Sequence, residues 1–257
     1  MSGSVSAPAY LAAIREVMER VATGQTEAIG RAAELIADSV RRGGVVHAFG
    51  TGHSEALAME IAGRAGGLVP SNRISLKDLV IRGGEPSSVL FDEKLERDPA
   101  VAHRLYALVK TEPSDVFVIA SNSGINGCVV EFARLVTDHG HPLIAITSRE
   151  HSARVESRHP SGRKLTDYAH VILDNGAPYG DAVLPLPAVE GESAGAVCGV
   201  SSITAALLAQ LVIAEVIRLL LEAGQVPPVY LSANIPGGDA HNQELEARYA
   251  GRITRTA

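Results

Sequence analysis

The sequence predicts an α/β protein built around a doubly wound parallel β-sheet. Short apolar runs rich in β-branched residues alternate with stretches of helical periodicity, as is typical of parallel strands joined by crossover helices. These runs are Val45–Phe49, Val116–Ala120, Pro142–Thr147 and Tyr168–Leu173. Because parallel strands end at the same edge of a sheet, the polar turns that follow them are expected to share one ligand-binding edge.

One of these turns, Ser121–Asn126, comes directly after Val116–Ala120 and leads into a helical pattern that starts at Gly127. Such a turn places hydroxyls and backbone N–H groups at the positive end of a helix, where a phosphate or carboxylate is stabilised. The first strand has a similar exit, Gly50–Ser54. The alternative is an ordinary strand-to-helix connection with serine caps. Neither turn has the third glycine of a dinucleotide fingerprint or the lysine of a P-loop.

Helical patterns flank the alternating region on both sides. Apolar residues at spacings of three and four predict a helical hairpin over 8–42, which either packs on the main domain or contributes to an oligomer interface. A long apolar helix rich in small residues is expected over Ala194–Leu221 and is a further candidate for subunit contact. With a C-terminal extension (226–257), these helices complete a single domain of 1–257 around an α/β core (43–225).

The remaining segments give weaker signals. Residues 68–96 are broken by prolines and glycines, and we interpret them as loops around a short helix at Leu76–Ile81. Such a region is either a lid or specificity loop, or a plain surface connection. Pro99–Val109 has helical spacing, and Val183–Leu186 is a candidate for one further strand. Asp239 is expected to cap a final short helix.

Composition restricts the function classes. The 257-residue chain has a formal net charge of −6, which argues against a nucleic-acid-binding surface. Cys128 and Cys198 lack CxxC spacing, so neither a disulfide framework nor a zinc site is expected, and a reducing cytoplasm is the expected location. Residues 1–8 show no signal-peptide pattern, and the apolar run Ile203–Ala214 is too short for a membrane span. We expect no metal, no cofactor and no membrane binding.

Several segments together carry a resemblance to a known family. The two turns are similar to the signature turns of the sugar isomerase (SIS) domain. The likeness covers nearly the whole chain and extends through Ala145–Ser148, His159–Gly162, Asp174–Asp181 and Leu231–Asn234. The sequence resembles a bacterial SIS-domain family for which no reaction is established. This resemblance implies a flavodoxin-like three-layer αβα sandwich that binds a phosphorylated sugar, usually as a homodimer or homotetramer.

The same resemblance implies a set of binding residues. In SIS proteins the phosphate lies in the turn that matches Ser121–Asn126, with help from the first turn. Hydroxyls and amides at a helix start can bind a dianion without a lysine. The residues expected to contact the phosphosugar are Thr51, Ser54, Ser121, Asn122, Ser123, Asn126, Thr147 and Ser148.

Glu60 is the first catalytic candidate. Aldose–ketose isomerisation needs a base that moves a proton between adjacent carbons, and an acid that helps to open the ring. Glu60–Arg64 is similar to the Glu-Leu-Thr-Gly-Arg of sedoheptulose 7-phosphate isomerases, where that Glu is catalytic. Here the interval from the first turn to Glu60 is about one helical turn shorter. The alternative is a solvated carboxylate paired with Arg64 four residues on.

Two histidines are the other catalytic candidates. His53 lies in the first turn, where it could polarise the sugar or simply contact the backbone. His241 starts the last helix, and some SIS isomerases take a histidine from the neighbouring subunit; otherwise it is a surface residue. Glu190 and Glu192 match site-bearing segments of other SIS enzymes by position only.

Three functional hypotheses follow. The leading one is a phosphosugar-binding protein that acts as an aldose–ketose isomerase. The second is a lyase acting on a lactyl amino-sugar phosphate, because related etherases use the same scaffold. The third is a non-catalytic phosphosugar sensor. SIS regulators normally carry a helix-turn-helix domain, and the N-terminal hairpin lacks the length and basic charge of one.

Overall fold

The structure, a computed structural model, describes residues 5–187 and 195–254. Its central sheet has five parallel strands in the order β2-β1-β3-β4-β5. They are β1 (Val46–Gly50), β2 (Ser71–Ile74), β3 (Val116–Ala120), β4 (Leu143–Thr147) and β5 (Val171–Asp174). All four predicted strands are present, and the strand order is that of a flavodoxin-like doubly wound sheet. The predicted fold class is confirmed.

Helices cover both faces of this sheet. They are α1 (Ala7–Gly24), α2 (Thr26–Arg41), α3 (Glu55–Ile61), α4 (Asp78–Ile81), α5 (Ala100–Ala107), α6 (Gly127–Asp138), α7 (Arg149–Ala153), α8 (Ser201–Glu222) and α9 (Gly238–Ala247). One face, which includes Ala48 and Val118, packs against α1, α2, α3 and α8. The other, which includes Phe49 and Phe117, packs against α5 and α6. Because β1, β3 and β4 are buried on both faces, they appear in the sequence as continuous apolar runs.

β2 is the strand that the sequence analysis missed when it interpreted 68–96 as loops around one helix. Three of its four residues are polar, so it lacks the apolar run that marks the other strands. It pairs with β1 at the edge of the sheet. The side chain of Asn72 accepts a hydrogen bond from Thr254 N (2.6 Å) and donates one to Arg252 O (2.8 Å), so the C-terminal segment covers this edge.

The predicted helix over 194–221 also needs correction, because its first part is a strand. β6 (Ala182–Pro185) and β7 (Ala196–Gly199) form a separate antiparallel two-stranded sheet, and α8 begins only at Ser201. Cys198 has a φ of +67°, which a helix interior does not accommodate. The candidate strand at Val183–Leu186 is therefore real, but it lies outside the main sheet.

The N-terminal helices α1 and α2 match the two predicted helical patterns. Both pack on α8 rather than on each other, so they form a layer over the core and not a mutually packed hairpin. By length and composition alone, α8 could cross a membrane. Its buried residues, such as Leu208 and Val212, instead contribute to the core beneath α1, α2 and α3.

The C-terminal helix α9 starts differently from the prediction. Gly237, with a left-handed φ of +81°, precedes the helix, so Asp239 lies within its first turn and does not cap it. Leu245 packs on Val69 and Tyr230. Because Val69 comes just before β2, α9 lies at the amino edge of the sheet, opposite the edge where the predicted turns lie.

Candidate functional site

The carboxyl ends of β1 and β3 form the switch point of the sheet. The two strands are neighbours, yet the helices that follow them, α3 and α6, pack on opposite faces. Doubly wound sheets bind ligands in the crevice at this point. The turn 51–54 follows β1 and Ser121–Asn126 follows β3, so both predicted turns lie there together.

The loop Ser121–Asn126 turns three of its carbonyl groups toward the surrounding protein. Asn122 O accepts from Ser148 N (3.1 Å), Gly124 O from Leu165 N (2.9 Å) and Ile125 O from Arg158 N (3.0 Å). Ser121 Oγ accepts a 3.1 Å hydrogen bond from Gly124 N, which closes the turn. Among the described residues, the N–H groups of Ser123, Asn126 and Gly127 have no acceptor. The loop therefore presents donors, as an anion site requires.

A segment before α5 crosses the start of α6. Arg97 O lies 2.1 Å from where a Cβ of Gly127 would be, so only glycine permits this approach. The crossing brings Glu96 to the loop, where its Oε1 accepts a 2.7 Å hydrogen bond from Asn126 Nδ2. Arg158 Nη1 donates to Asn126 Oδ1 at 2.9 Å. Because both ends of the Asn126 amide bond to protein groups, its side chain is fixed in place and its backbone N–H is the unpaired donor of its main chain.

A narrow cleft lies beside the loop, between the first turns of α3 and α8. Its polar lining residues are His53, Ser54, Ser121, Asn122, Asn175, Ser201 and Ser202. Its volume is about 20 Å³, which is room for one water molecule. A sugar must therefore lie outside the cleft or widen it. His53 is exposed at its mouth, and Thr51, which accepts from Ser54 N with its carbonyl, is buried behind it.

Thr147 and Ser148 lie beneath the loop and are fully buried. Thr147 Oγ1 donates to Asn122 O (3.2 Å), and Ser148 Oγ donates to Ala177 O (2.6 Å) and accepts from His151 N (2.9 Å). These hydroxyls support the loop and cap α7. The structure does not present them to a ligand.

Glu60 lies toward the far end of α3. Its Oε1 accepts from Gln210 Nε2 (2.6 Å) and from Arg64 Nη1, so the pair with Arg64 described above as the alternative is present. Six helical residues carry it about 9 Å along the axis from Ser54. Glu60 is not among the residues that line the cleft. It lies further along the contact between α3 and α8, where Gln210 of α8 meets it.

His241 lies at the amino edge, where its Nε2 donates to Val229 O (3.0 Å). Within one chain it therefore does not meet His53, and a role in the site of a second subunit stays a prediction. Glu190 and Glu192 lie outside the described residues.

A buried carboxylate in α6 anchors the segment that carries Arg158. Glu131 is 6% exposed and accepts from Arg134 Nη2 (2.6 Å), His103 Nε2 (2.7 Å) and His159 Nε2 (3.0 Å). The bond from Arg134 has the largest effect and, with the histidines, lowers the pKa of Glu131 to about 2 against the opposing effect of burial. This cluster holds His159, and with it the neighbouring Arg158, beside the loop.

Sequence reasoning did not find Glu96, Arg158, Asn175 or Glu131 as parts of this region. Glu96 and Glu131 have no distinguishing local pattern. His159 and Asn175 lie within segments that carried the family resemblance, and that was the one available signal.

The switch-point position, the loop with unpaired donors and the helix that starts from it are the features of a doubly wound α/β domain with its ligand site at the carboxyl edge of the sheet. The chain belongs to the SIS domain family, whose model matches residues 9–148.

Relatives cover almost the full length of the chain. The UPF0309 protein lmo0025 of Listeria monocytogenes serovar 1/2a is 42% identical over 239 residues, which are 93% of this chain and 95% of that protein. The UPF0309 protein BH3325 of Halalkalibacterium halodurans is 37% identical over 240 residues, with 93% and 96% covered.

Solved structures share the fold. A phosphoheptose isomerase from Francisella tularensis aligns with a TM-score of 0.53 at 15% identity, over 81% of this chain and 95% of that one. The phosphoheptose isomerase GmhA from Neisseria gonorrhoeae aligns with a TM-score of 0.50 at 18% identity over the same shares. At such identities the likeness concerns the fold alone.

Proposed function

We propose that the protein binds a phosphorylated sugar, with the phosphate on the loop Ser121–Asn126, and interconverts its aldose and ketose forms. The observation that carries this proposal is the loop itself, which turns three carbonyls toward the protein and has unpaired N–H groups at Ser123, at Asn126 and at Gly127, the first residue of α6. A dianion at this place gains from those donors and from the helix dipole. The guanidinium of Arg158, beside Asn126, adds a positive charge.

We place the sugar along the contact between α3 and α8, which leads away from the phosphate. A sugar chain that follows it passes His53 and Ser54 and extends toward Glu60. In this arrangement Glu60 takes a proton from the carbon beside the carbonyl and returns it to the neighbouring carbon. His53 moves the proton between the two oxygens. The family membership and the family resemblance of Glu60–Arg64 support this assignment.

We also propose that the protein works as a cytoplasmic homodimer or homotetramer. Apolar side chains on α8 remain exposed, among them Ile203 (43%) and Leu221 (58%). Burial of such side chains between two copies would stabilise an oligomer. In that assembly, His241 of the partner subunit would be the acid that helps to open the sugar ring.

The binding proposal is tested by thermal shift with hexose, heptose and amino-sugar phosphates, each beside its unphosphorylated sugar. Phosphorylated ligands should raise the melting temperature by mass action. Ser123→Ala should weaken binding about tenfold, the effect of one lost hydrogen bond to a charged group. Ser87→Ala, an exposed serine outside the loop, is the matched control. Equal binding of the unphosphorylated sugars, or equal behaviour of the two variants, would contradict the proposal.

The catalytic proposal is tested with Glu60→Gln on the sugar phosphates that bind. Exchange of the sugar's carbon-bound proton with D₂O, followed by NMR, should slow by about 100-fold or more. Glu93→Gln, an exposed carboxylate outside α3 and α8, should leave the exchange rate unchanged. If Glu60→Gln and the wild type exchange at the same rate, Glu60 is not the base. Release of lactate from a lactyl amino-sugar phosphate would instead support the lyase.

A further inference from the structure

A basic pocket lies at the amino edge of the sheet, on the side away from the phosphate loop. It forms where β2, the end of the α5 region and the C-terminal segment 251–254 meet, and its volume is about 150 Å³. The charged residues that line it are Arg73, Arg82, Lys110 and Arg252, and His47 lies at its base. Among its described lining residues there is no carboxylate.

Two buried nitrogens in the lining have no hydrogen-bond partner among the described residues. They are His47 Nδ1 and Arg252 Nε. His47 is fully buried, and its other ring nitrogen Nε2 is 3.1 Å from Asp115 Oδ2. Buried polar groups in proteins are nearly always hydrogen-bonded, so an unpaired one requires an explanation. An anion in the pocket would lie beside the Arg252 guanidinium and supply an acceptor there.

The carboxylates in this region lie behind the pocket and fix Arg252 in place. Arg252 Nη2 donates to Asp115 Oδ1 (2.6 Å) and Nη1 to Glu112 Oε2 (2.5 Å). Burial raises the pKa of Asp115, but the hydrogen bonds from His47 and the backbone outweigh it and lower that pKa below its usual value. Asp115 therefore remains a carboxylate, and its pair with Arg252 fixes that side chain in the lining of the pocket.

Arg82 and Lys110 differ from Arg252, because within the described residues no carboxylate pairs with their positive charges. Arg82 Nη2 donates to the carbonyl of Leu108 (2.6 Å), which orients the guanidinium without neutralising it. Neither Arg82 nor Lys110 forms an ion pair within the described part of the chain. Two uncompensated positive charges beside a half-buried guanidinium make the pocket strongly attractive for an anion.

We propose that this pocket is a second anion site, which binds a phosphate-sized dianion between Arg82, Lys110 and Arg252. Its volume is below the roughly 300–1,000 Å³ of pockets that enclose drug-sized ligands, so a free phosphate ion or a short phosphate ester fits and a bulky ligand does not. Bound there, the anion links β2, the chain after α5 and the C-terminal segment. The site is separate from the switch-point loop.

The proposal is tested by calorimetric titration of inorganic phosphate at constant ionic strength. The double variant Arg82→Gln/Lys110→Gln should bind phosphate at this site at least tenfold more weakly than the wild type. The control Arg15→Gln/Arg42→Gln removes the same charge from exposed positions elsewhere and should bind normally. Equal weakening in both double variants would mean a general charge effect and would overturn the proposal, as would unchanged binding in the first.

A Ser121→Ala/Ser123→Ala background separates this site from the loop. One phosphate should still bind in that background, and the further change Arg82→Gln/Lys110→Gln should remove it. If no phosphate binds once the loop is changed, the pocket is not an anion site, whatever the loop proves to do. Parallel titrations with glycerol phosphate identify the source of the phosphoryl group: binding as tight as that of inorganic phosphate indicates a metabolite ester, and weaker binding indicates the free ion.

Discussion

The side-chain amide of Asn126 donates a 2.7 Å hydrogen bond to Glu96, and this contact ties the segment before α5 to the loop Ser121–Asn126. Arg158 donates to the other end of the same amide. Asn126 is therefore held between the carboxylate of Glu96 and the guanidinium of Arg158, and its position fixes the start of α6. Glu96 therefore positions the loop, and because a carboxylate repels a dianion, the proposed phosphate would not contact it.

The first prediction concerns this pair. Asn126→Asp replaces the donor with a second carboxylate against Glu96 and should lower the free energy of unfolding by about 1–3 kcal/mol. Glu96→Gln keeps an acceptor for Asn126 and should cost less than about 1 kcal/mol. In the double variant the Gln amide can donate to the Asp carboxylate, so most of the lost stability should return. Urea unfolding of the four proteins measures the coupling.

An additive result, in which the double variant loses the sum of the two single losses, would show that the two side chains do not interact. Affinity for the sugar phosphate that stabilises the wild type should follow the same order as stability.

A second prediction concerns the segment at Arg97, which crosses the start of α6. Gly127→Ala places a Cβ against Arg97 O, where the distance would be 2.1 Å, so the crossing segment must move. We expect a loss of about 1–3 kcal/mol of stability, measured by urea unfolding, together with weaker ligand binding. Gly30→Ala, in α2 with open space around its Cβ position, should instead stabilise by about 0.5–1 kcal/mol. If Gly127→Ala leaves the free energy of unfolding unchanged, the segment at Arg97 does not cross the start of α6 so closely.

A third prediction is a pH dependence of stability. The pKa of Glu131 is lowered from 4.5 to about 2 by the bonds from Arg134 and the histidines. A carboxylate with a lowered folded-state pKa stabilises the protein above its unfolded-state value, and that contribution is lost as the pH falls from about 4.5 to about 2. The contribution is on the order of 3 kcal/mol.

Unfolding in urea should therefore show a gap between the wild type and Glu131→Gln that is widest near neutral pH and narrows below pH 4.5. Glu34→Gln, on the exposed side of α2, serves as the control and should stay within about 0.5 kcal/mol of the wild type. A gap that is constant over the whole pH range would rule out this role of Glu131.

The fourth prediction concerns the two thiols. Cys128 is fully buried at the start of α6, and burial raises its pKa well above the usual value, whereas Cys198 is exposed. A disulfide reagent should modify one thiol per native chain rapidly and the second only on unfolding. Cys198→Ser should abolish the rapid reaction. Rapid modification of that variant would mean that the start of α6 opens readily.

Much of the fold was predictable because it depends on local periodicity. Buried parallel strands give uninterrupted apolar runs, so Val116–Ala120 and its neighbours were visible, and so were the turns that follow them. β2 was not visible, since an edge strand with polar residues has no such run. The strand β7 was taken for helix because its small and apolar residues also suit a helix, and only the backbone of Cys198 reveals the difference.

The sequence by itself determined the parallel α/β class, the loop Ser121–Asn126 and the order of the elements around it, because each depends on neighbours along the chain. Only the tertiary structure decided what surrounds that loop. Glu96 and Arg158 reach Asn126 from segments about 30 residues away on either side, and packing against α6 brings them together. Contacts between residues so far apart along the chain leave no periodic pattern in the sequence. It follows from the packing of the whole core.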